Sequence, residues 1–482
     1  MAPRASKRTK HLVSAVRVLA IILLLGTCGA GFAAAAALSP PVPAADWFSN
    51  PVASAKLARG ENPAPVRLNR DPVAPLSAMA QLGRLIFFDP RLSSSGRLSC
   101  ASCHNPQNSY GPVGDAPAMF GGATLKRQGA RAVPSLMYLE YQPNFTIGPD
   151  PGGDSETPAA LPQLAAKGLT AARATKTAQT TAQSAANLVP QGGIFWDGRA
   201  DTLQAQAMGP LLNPLEMDGG SIARIVGLLK AAPYAKRFDQ LFGAHIWDSQ
   251  NLTSAEALFA VARYQIEDLS FHPYSSRYDA WLEGKTRLNT EEIRGFRLFN
   301  DPAKGDCAAC HLDQPTAEGR PPLFTDHQFE ALGVPRNPQL KLNQNPAYFD
   351  LGVCGPYRTD LSAQTQYCGM FLTPTLRNSA TRQVFFHNGA DHTLQQVMDF
   401  YNDRDTAPYR VYPKDKAGVI AKYNDLPKRY WPNIDTADPP FDRKLGDAPP
   451  LSAGDEADII AFLKTLDDGY IRETDVAPRS SN

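Results

Sequence analysis

The sequence predicts a mainly α-helical protein of two cytochrome-c-like domains with long loops. Three observations lead there. Two C-x-x-C-H motifs, Cys100-Ala101-Ser102-Cys103-His104 and Cys307-Ala308-Ala309-Cys310-His311, stand 207 positions apart. Similar stretches precede them, Leu82-Gly83-x-x-Ile86-Phe87-Phe88 and Gly295-Phe296-x-Leu298-Phe299, as expected of two related units. Runs of alternating β-branched residues are few, while 42 prolines and 36 glycines punctuate the 482 residues, so helices joined by loops are favoured over sheets.

Each motif is chemically specific. Two thiols three positions apart reach the two vinyl groups of one haem as thioethers, and the adjacent histidine falls beneath the iron. One such match could be a redox dithiol or half a zinc site. Two matches, with no thioredoxin-like βαβ pattern around either, point to two covalently bound c-type haems on Cys100/Cys103 and Cys307/Cys310. His104 and His311 are the axial ligands. The glycine-and-aromatic stretches upstream are expected to be helices packed against the haem-bearing helices. Asn289-Thr290-Glu291-Glu292 marks the start of the second, with a capping residue and acids in the first turn.

The N-terminus reads as an export segment. Arg4, Lys7, Arg8, Lys10 and Arg17 precede an apolar run from Val18 to about Leu38 that ends in small residues. Cleavage leaves a soluble periplasmic protein; retention leaves one tethered to the inner membrane by this segment alone, since the run is long enough to span. Cys28 lies within it and is incidental. Cys354 and Cys368 flank a polar loop, and in an oxidising compartment such a pair forms a disulfide; two unpaired thiols are the alternative. A net charge of +1 gives no reason to expect nucleic-acid binding. The domains are drawn at 1–38 (signal or anchor), 46–275 (first haem domain, with an insertion at 146–193), 276–470 (second haem domain) and 471–482 (polar tail).

Longer stretches carry a family resemblance. Gln81-Leu82-Gly83-Arg84-Leu85-Ile86-Phe87-Phe88-Asp89-Pro90-Arg91-Leu92-Ser93, Phe195-Trp196-Asp197-Gly198-Arg199-Ala200, Thr373-Pro374-Thr375-Leu376-Arg377-Asn378 and Phe386-His387-Asn388-Gly389 occur in the order found in bacterial di-haem cytochrome c peroxidases and MauG proteins. The chain resembles that family from about Ala80 to Leu466.

The resemblance implies that hydrogen peroxide reacts at the N-terminal haem while the C-terminal haem handles electrons. It implies Trp196 as the relay between them, and Gln206 and Glu216, ten and twenty residues later, as distal-pocket groups. A carboxylate such as Glu216 can take a proton from one peroxide oxygen and return it to the other; outside the family it would read as a solvated loop acid, and Trp196 as a core aromatic. The usual peroxidase has a histidine about sixteen residues after the first haem histidine. Here Asn105 to Thr124 contains none, and Met119 is the one soft ligand there, so the first haem is expected to be five-coordinate. The usual second-haem methionine, fourteen residues after the histidine of F-H-x-G, is Tyr401 here, as in MauG-type proteins; Met398 competes. A phenolate ligand lowers the reduction potential relative to methionine. His245, His272, His327 and His392 read as surface or structural residues, and His387 as a structural residue near the second haem.

Two features depart from the family. Its inter-haem calcium uses an asparagine two residues before the P-S/T motif; Ala132 stands there before Pro134-Ser135, so calcium is doubtful. Nearly fifty residues, 146–193, separate the Tyr141-to-Phe145 segment from Phe195. They are expected to begin as a Pro/Gly/Asp-rich loop and continue, over 164–188, as a weakly helical excursion, either a solvated surface element or a lid or docking element. Electrons are expected from a protein donor, a small c-type cytochrome or a cupredoxin, or from a partner protein oxidised at aromatic residues. Two other readings remain: an exported electron carrier, which would have both irons six-coordinate, and an oxygenase, which would have an apolar tunnel to the first haem.

Overall fold

The architecture rests on two crossed helix pairs built by the same device. The computed structural model describes residues 44–149 and 188–471. The export segment, the interior of the insertion with its weakly helical stretch, and the end of the polar tail lie outside the described residues. In chain order the helices are α1 (Ala44–Ser49), α2 (Pro51–Leu57), α3 (Ala78–Phe87), α4 (Cys100–Cys103), α5 (Leu203–Leu212), α6 (Ile222–Lys230), α7 (Ala235–Phe242), α8 (Gln250–Glu267), α9 (Arg277–Leu282), α10 (Thr290–Phe299), α11 (Leu394–Asp403), α12 (Pro408–Val411) and α13 (Ala453–Lys464).

Helix α3 starts where the Ser77 hydroxyl accepts from Ala80 N, and it buries Ala80, Leu82, Gly83, Ile86 and Phe87 along one face. It crosses α8 so closely that a Cβ on Gly83 would lie 1.8 Å from the Ala260 carbonyl oxygen. Helix α10 repeats the arrangement. Asn289 and Glu292 form a capping box, Ile293, Gly295, Phe296 and Phe299 are buried, and a Cβ on Gly295 would lie 1.9 Å from the Asp458 carbonyl oxygen of α13. The glycine in each upstream stretch therefore serves a backbone approach to a helix far along the chain. The expected packing against the haem-bearing helix is made by the aromatics instead: Phe87 and Phe299 each reach a haem-motif cavity.

Two large apolar clusters follow. The first gathers Leu82, Phe87, Tyr110, Leu229, Phe238, Tyr264 and Phe271. The second gathers Tyr278, Trp281, Phe296, Phe299, Phe324 and Phe462. Each fully buried aromatic contributes about 1.5–3 kcal/mol. The chain passes from one to the other between Tyr274 and Tyr278. Trp47, Leu57 and Leu68 join the second cluster although they precede the first in sequence. The Trp281 indole N–H donates to the Gly60 carbonyl at 2.9 Å, which ties this leading segment to α9. The end of the second domain is also fastened: Asp468 accepts from Asn378 at 2.7 Å and from Ser275 N at 2.9 Å.

Strands are short, two to four residues, and pair antiparallel: β1 (Phe120–Gly121) with β2 (Arg127–Gln128), β3 (Thr146–Pro149) with β4 (Leu188–Gln191), and β5 (Phe329–Glu330) with β6 (Phe371–Leu372). The insertion thus begins and ends as a ribbon, Thr146 opposite Gln191 and Pro149 opposite Leu188, where its first residues were expected to be loop. Cys354 and Cys368 are joined by a disulfide, Cα–Cα 5.0 Å. They sit in a small cluster with Phe329, Leu361 and Tyr367, against Phe145 and Ile147 of the ribbon side.

Candidate functional site

Each C-x-x-C-H motif opens onto its own cavity. The first is walled by Cys100, Cys103 and His104, by Phe87 of α3, and by Met119, Trp196, Arg199, Gln206, Pro210 and Glu216. The second is walled by Cys307, Cys310 and His311, by Phe299 of α10, and by Trp196, His387, Met398, Tyr401 and Phe441. About 1380 and 1900 Å³ of space free of protein atoms lie within them, partly open to solvent. That is far more than a water, at about 30 Å³, would need.

The two histidines are set alike. His104 Nδ1 donates to the Tyr110 carbonyl at 3.1 Å, and His311 Nδ1 to the Phe324 carbonyl at 2.9 Å. Such a bond fixes the tautomer and leaves Nε2 as the atom able to coordinate an iron. Burial lowers the His104 pKa to about 4, so the ring is neutral, as a ligand must be. Four partly buried motif cysteines at the walls, with an oriented histidine beside each pair, fit a c-type haem in each cavity.

The walls opposite are built by two matching turns. In Phe195-Trp196-Asp197-Gly198, Phe195 has φ 72° and Gly198 φ 64°, and Ile194 pairs with Ala200. In Phe386-His387-Asn388-Gly389, Phe386 has φ 59° and Gly389 φ 63°, and Phe385 pairs with Asp391. Each turn leads to a threonine N-cap, Thr202 or Thr393, and then to α5 or α11. Trp196 therefore corresponds to His387, and Pro210 of α5 to Tyr401 of α11.

In the first half, α5 ends at Asn213, whose amide donates to Glu216 Oε1 at 2.6 Å and whose Oδ1 accepts from Leu215 N. This turn aims Glu216. Burial pushes its carboxyl above the usual carboxylate range, against the opposing pull of the Asn213 bond and the Arg199 charge. Gln206 is buried in the same wall. In the second half, Tyr401 stacks on Phe441 at 5.3 Å, and burial raises its phenol against the charge of Arg404. Met398 also reaches this cavity but belongs to the second apolar cluster, while Met119 reaches the first. His387 stacks flat on Phe371 at 3.5 Å.

Trp196 is in the wall of both cavities, its indole N–H donating to the Ala132 carbonyl at 2.9 Å. Behind it Arg131, invisible to motif reading, donates to Asp197 at 2.8 Å and to both oxygens of Asp350. Asp197 also accepts from Arg199, whose guanidinium lies 3.6 Å over the Phe195 ring. This ionic chain fixes the Trp196 turn from both sides. The remaining histidines bond locally: His272 to the Ile266 carbonyl, His327 to Gln142, His245 to Asp248 and His392 to the Gln383 carbonyl.

Comparison with known proteins decides the family. The model of the di-haem cytochrome c peroxidase family matches residues 77–287. The solved diheme peroxidase BthA from Burkholderia thailandensis is 31% identical, with a TM-score of 0.69 over 84% of this chain and 89% of that one. The methylamine utilization protein MauG of Paracoccus denitrificans is 28% identical over 67% of this chain and 74% of its own length. The cytochrome c551 peroxidase of Nitrosomonas europaea is 28% identical over 68% and 76%. The chain belongs to the di-haem cytochrome c peroxidase and MauG family. As a member it is an oxidoreductase of the peroxidase kind carrying two c-type haems, and the mainly helical fold is the one expected. The backbone oxygen of Ala132, the residue whose side chain made calcium doubtful from the sequence, accepts from the Trp196 indole.

Proposed function

We propose that the protein reduces hydrogen peroxide at the first cavity, using electrons from a protein partner that pass through the second cavity and Trp196, in the manner of MauG-type members. The single observation that carries this reading is Trp196 standing in the wall of both cavities. Each haem, when bound, supplies an iron that exchanges single electrons.

The protein's part is proton handling and positioning. Peroxide takes up two electrons and two protons and leaves as two waters. Glu216 in its carboxylate form accepts the proton of one peroxide oxygen and returns it to the oxygen that departs. Asn213 holds the carboxylate at this place. The Gln206 amide orients the peroxide by hydrogen bonding. His104 and His311 would ligate the haem irons, and Cys100, Cys103, Cys307 and Cys310 would hold the two haems through thioether bonds. Pro210 offers no ligating atom where the second half offers Tyr401, which favours an open first site and a phenolate-ligated second one.

The donor is a small cytochrome or copper protein, or a partner whose aromatic side chains are themselves oxidised; Tyr401 favours the latter. The export segment and the disulfide favour a periplasmic location. The test is to add hydrogen peroxide to the purified diferric full-length protein. EPR beforehand should give one high-spin and one low-spin iron. Two low-spin irons with no absorbance change on adding peroxide would instead identify an electron carrier. Trp196→Phe should keep both haems and delay the response of the second; an undelayed response rejects the relay.

A further inference from the structure

A third cavity lies beside Trp196 and Gln206, and two arginines reach it that differ in their partners. Arg377 is fully buried and its guanidinium is held by both oxygens of Asp279, at 2.9 and 2.7 Å. Arg382 has no carboxylate at ion-pair distance among the described residues. Its Nη2 donates to the Val133 carbonyl at 2.8 Å and its Nε to the Val384 carbonyl at 3.3 Å, both neutral acceptors. Nη1 and the second N–H of Nη2 form a fork with no protein acceptor among the described residues.

The Arg382 side chain is partly buried, and the neutral carbonyls that meet its guanidinium do not compensate the hydration it loses, so the open side of the fork suits an anion. Burial brings its pKa down only to about 10, so it stays charged at neutral pH. Its position is beside the first haem motif. A Cβ on Gly111 would lie 3.2 Å from Arg382 Nη1, and the charge of Arg382 is felt by the His104 ring. Val133, which it grips, leads directly into Pro134 and Ser135 of the same cavity wall.

We propose that Arg382 is a carboxylate-binding site, and that the carboxylate is a propionate of the haem held by His104. A guanidinium fork accepts a carboxylate through two parallel N–H donors, a match that a lysine or a neutral amide lacks. The fixed positive charge then opposes the ferric state of the first haem and raises its reduction potential. The proposal rests on His104 carrying a haem and not on peroxidase turnover.

The test compares wild type, Arg382→Gln and Arg382→Lys as full-length holoproteins. Redox titration followed in the optical bands of each haem should place the first haem of R382Q at a more negative potential, with the second unchanged. R382K should stay close to wild type in potential, but its propionate-bending Raman band should move because the fork is gone. If R382Q does not accumulate folded, the Raman band of R382K decides alone. An unchanged first-haem potential in R382Q, or an unchanged band in R382K, overturns the proposal. A free small anion is the competing occupant of the fork. If added formate or phosphate shifts the wild-type first-haem potential, that occupant is the right one and the propionate assignment fails. A pyridine haemochrome count of two haems in wild type keeps these outcomes separate from a failure of haem attachment at His104.

Discussion

The two halves of this protein are alike in construction and opposite in what they present to a haem. Both cross a glycine-bearing helix over a later one, both orient a histidine through Nδ1, and both close the cavity with a turn that puts an aromatic residue at positive φ. At equivalent places on the helix after that turn stand Pro210 and Tyr401. The half with proline has Glu216, Gln206 and Arg199 around its cavity; the half with tyrosine has Phe386, Phe400 and Phe441 packed around the phenol. One frame thus yields a cavity where α5 presents a proline near Glu216, Gln206 and Arg199, and another where α11 presents a phenol among aromatic rings. The two cavities thus differ in a few wall positions rather than in the frame that carries them.

The sharpest way to break this contrast is to give the first half the residue of the second. Pro210→Tyr should place a phenol at the open site. Proline inside a helix is the costly residue, so tyrosine there relieves the backbone rather than straining it. The expected result is loss of the high-spin EPR signal and of the peroxide reaction at the first haem. A retained high-spin signal would show that the two helices do not correspond.

Next in size is Glu216→Gln, which keeps the shape and the Asn213 contact but removes the base. The peroxide reaction should slow by about 10²–10⁴, the usual yield of a positioned acid–base group. Stopped-flow mixing would measure it. The pH profile tests the same group. Because the Glu216 pKa is raised, the wild-type rate should fall as pH drops through that raised value, where the carboxylate needed to take the proton is lost. That limb should be missing in E216Q.

The shared frame can be broken one half at a time. Gly83→Ala adds a methyl group where the Ala260 carbonyl oxygen lies 1.8 Å away, and Gly295→Ala does so 1.9 Å from the Asp458 carbonyl oxygen. Alanine improves helix propensity by about 1 kcal/mol, but the obstacle is backbone and cannot swing aside. Net destabilisation of about 3 kcal/mol is expected from such overpacking. In a denaturant titration G83A should lose the first haem's spectrum before the second's, and G295A the reverse. Simultaneous loss in both variants would mean that the halves unfold as one.

How far the sequence alone reaches follows the same division. The motifs Cys100–His104 and Cys307–His311, the cap at Asn289 and the helical stretches around Gly83 and Gly295 are local patterns, and the structure has them where their spacing says. Glu216, Gln206 and Trp196 were legible through family resemblance only, because nothing local distinguishes an acid in a Pro-rich turn from a solvated one. The ribbon at Thr146 was not legible: its partner strand lies beyond nearly forty intervening residues, and four-residue strands carry little periodicity. Arg131 and Arg382 escaped for a related reason. An arginine's role depends on whether a carboxylate meets it in space, as Asp197 and Asp350 meet Arg131 and as no described carboxylate meets Arg382. The packing of the leading segment was not legible for the same reason, since Trp47 and Leu57 precede the first haem motif yet pack with Trp281 and Phe296.

The smallest effect on turnover is expected where the second half is made to resemble a common electron-transfer haem. In Tyr401→Met a thioether replaces the phenol at the same helical position. A phenolate favours ferric iron, so its loss should raise the second haem's potential. The first haem, its wall untouched, should keep its potential and its initial reaction with peroxide to within a few-fold. The side chain is adaptable enough to fill the space beside Phe441. Spectroelectrochemistry on the holoprotein would separate the two haems. An unmoved second-haem potential would reject Tyr401 as ligand and turn attention to Met398, one turn back on α11 and in the wall of the same cavity.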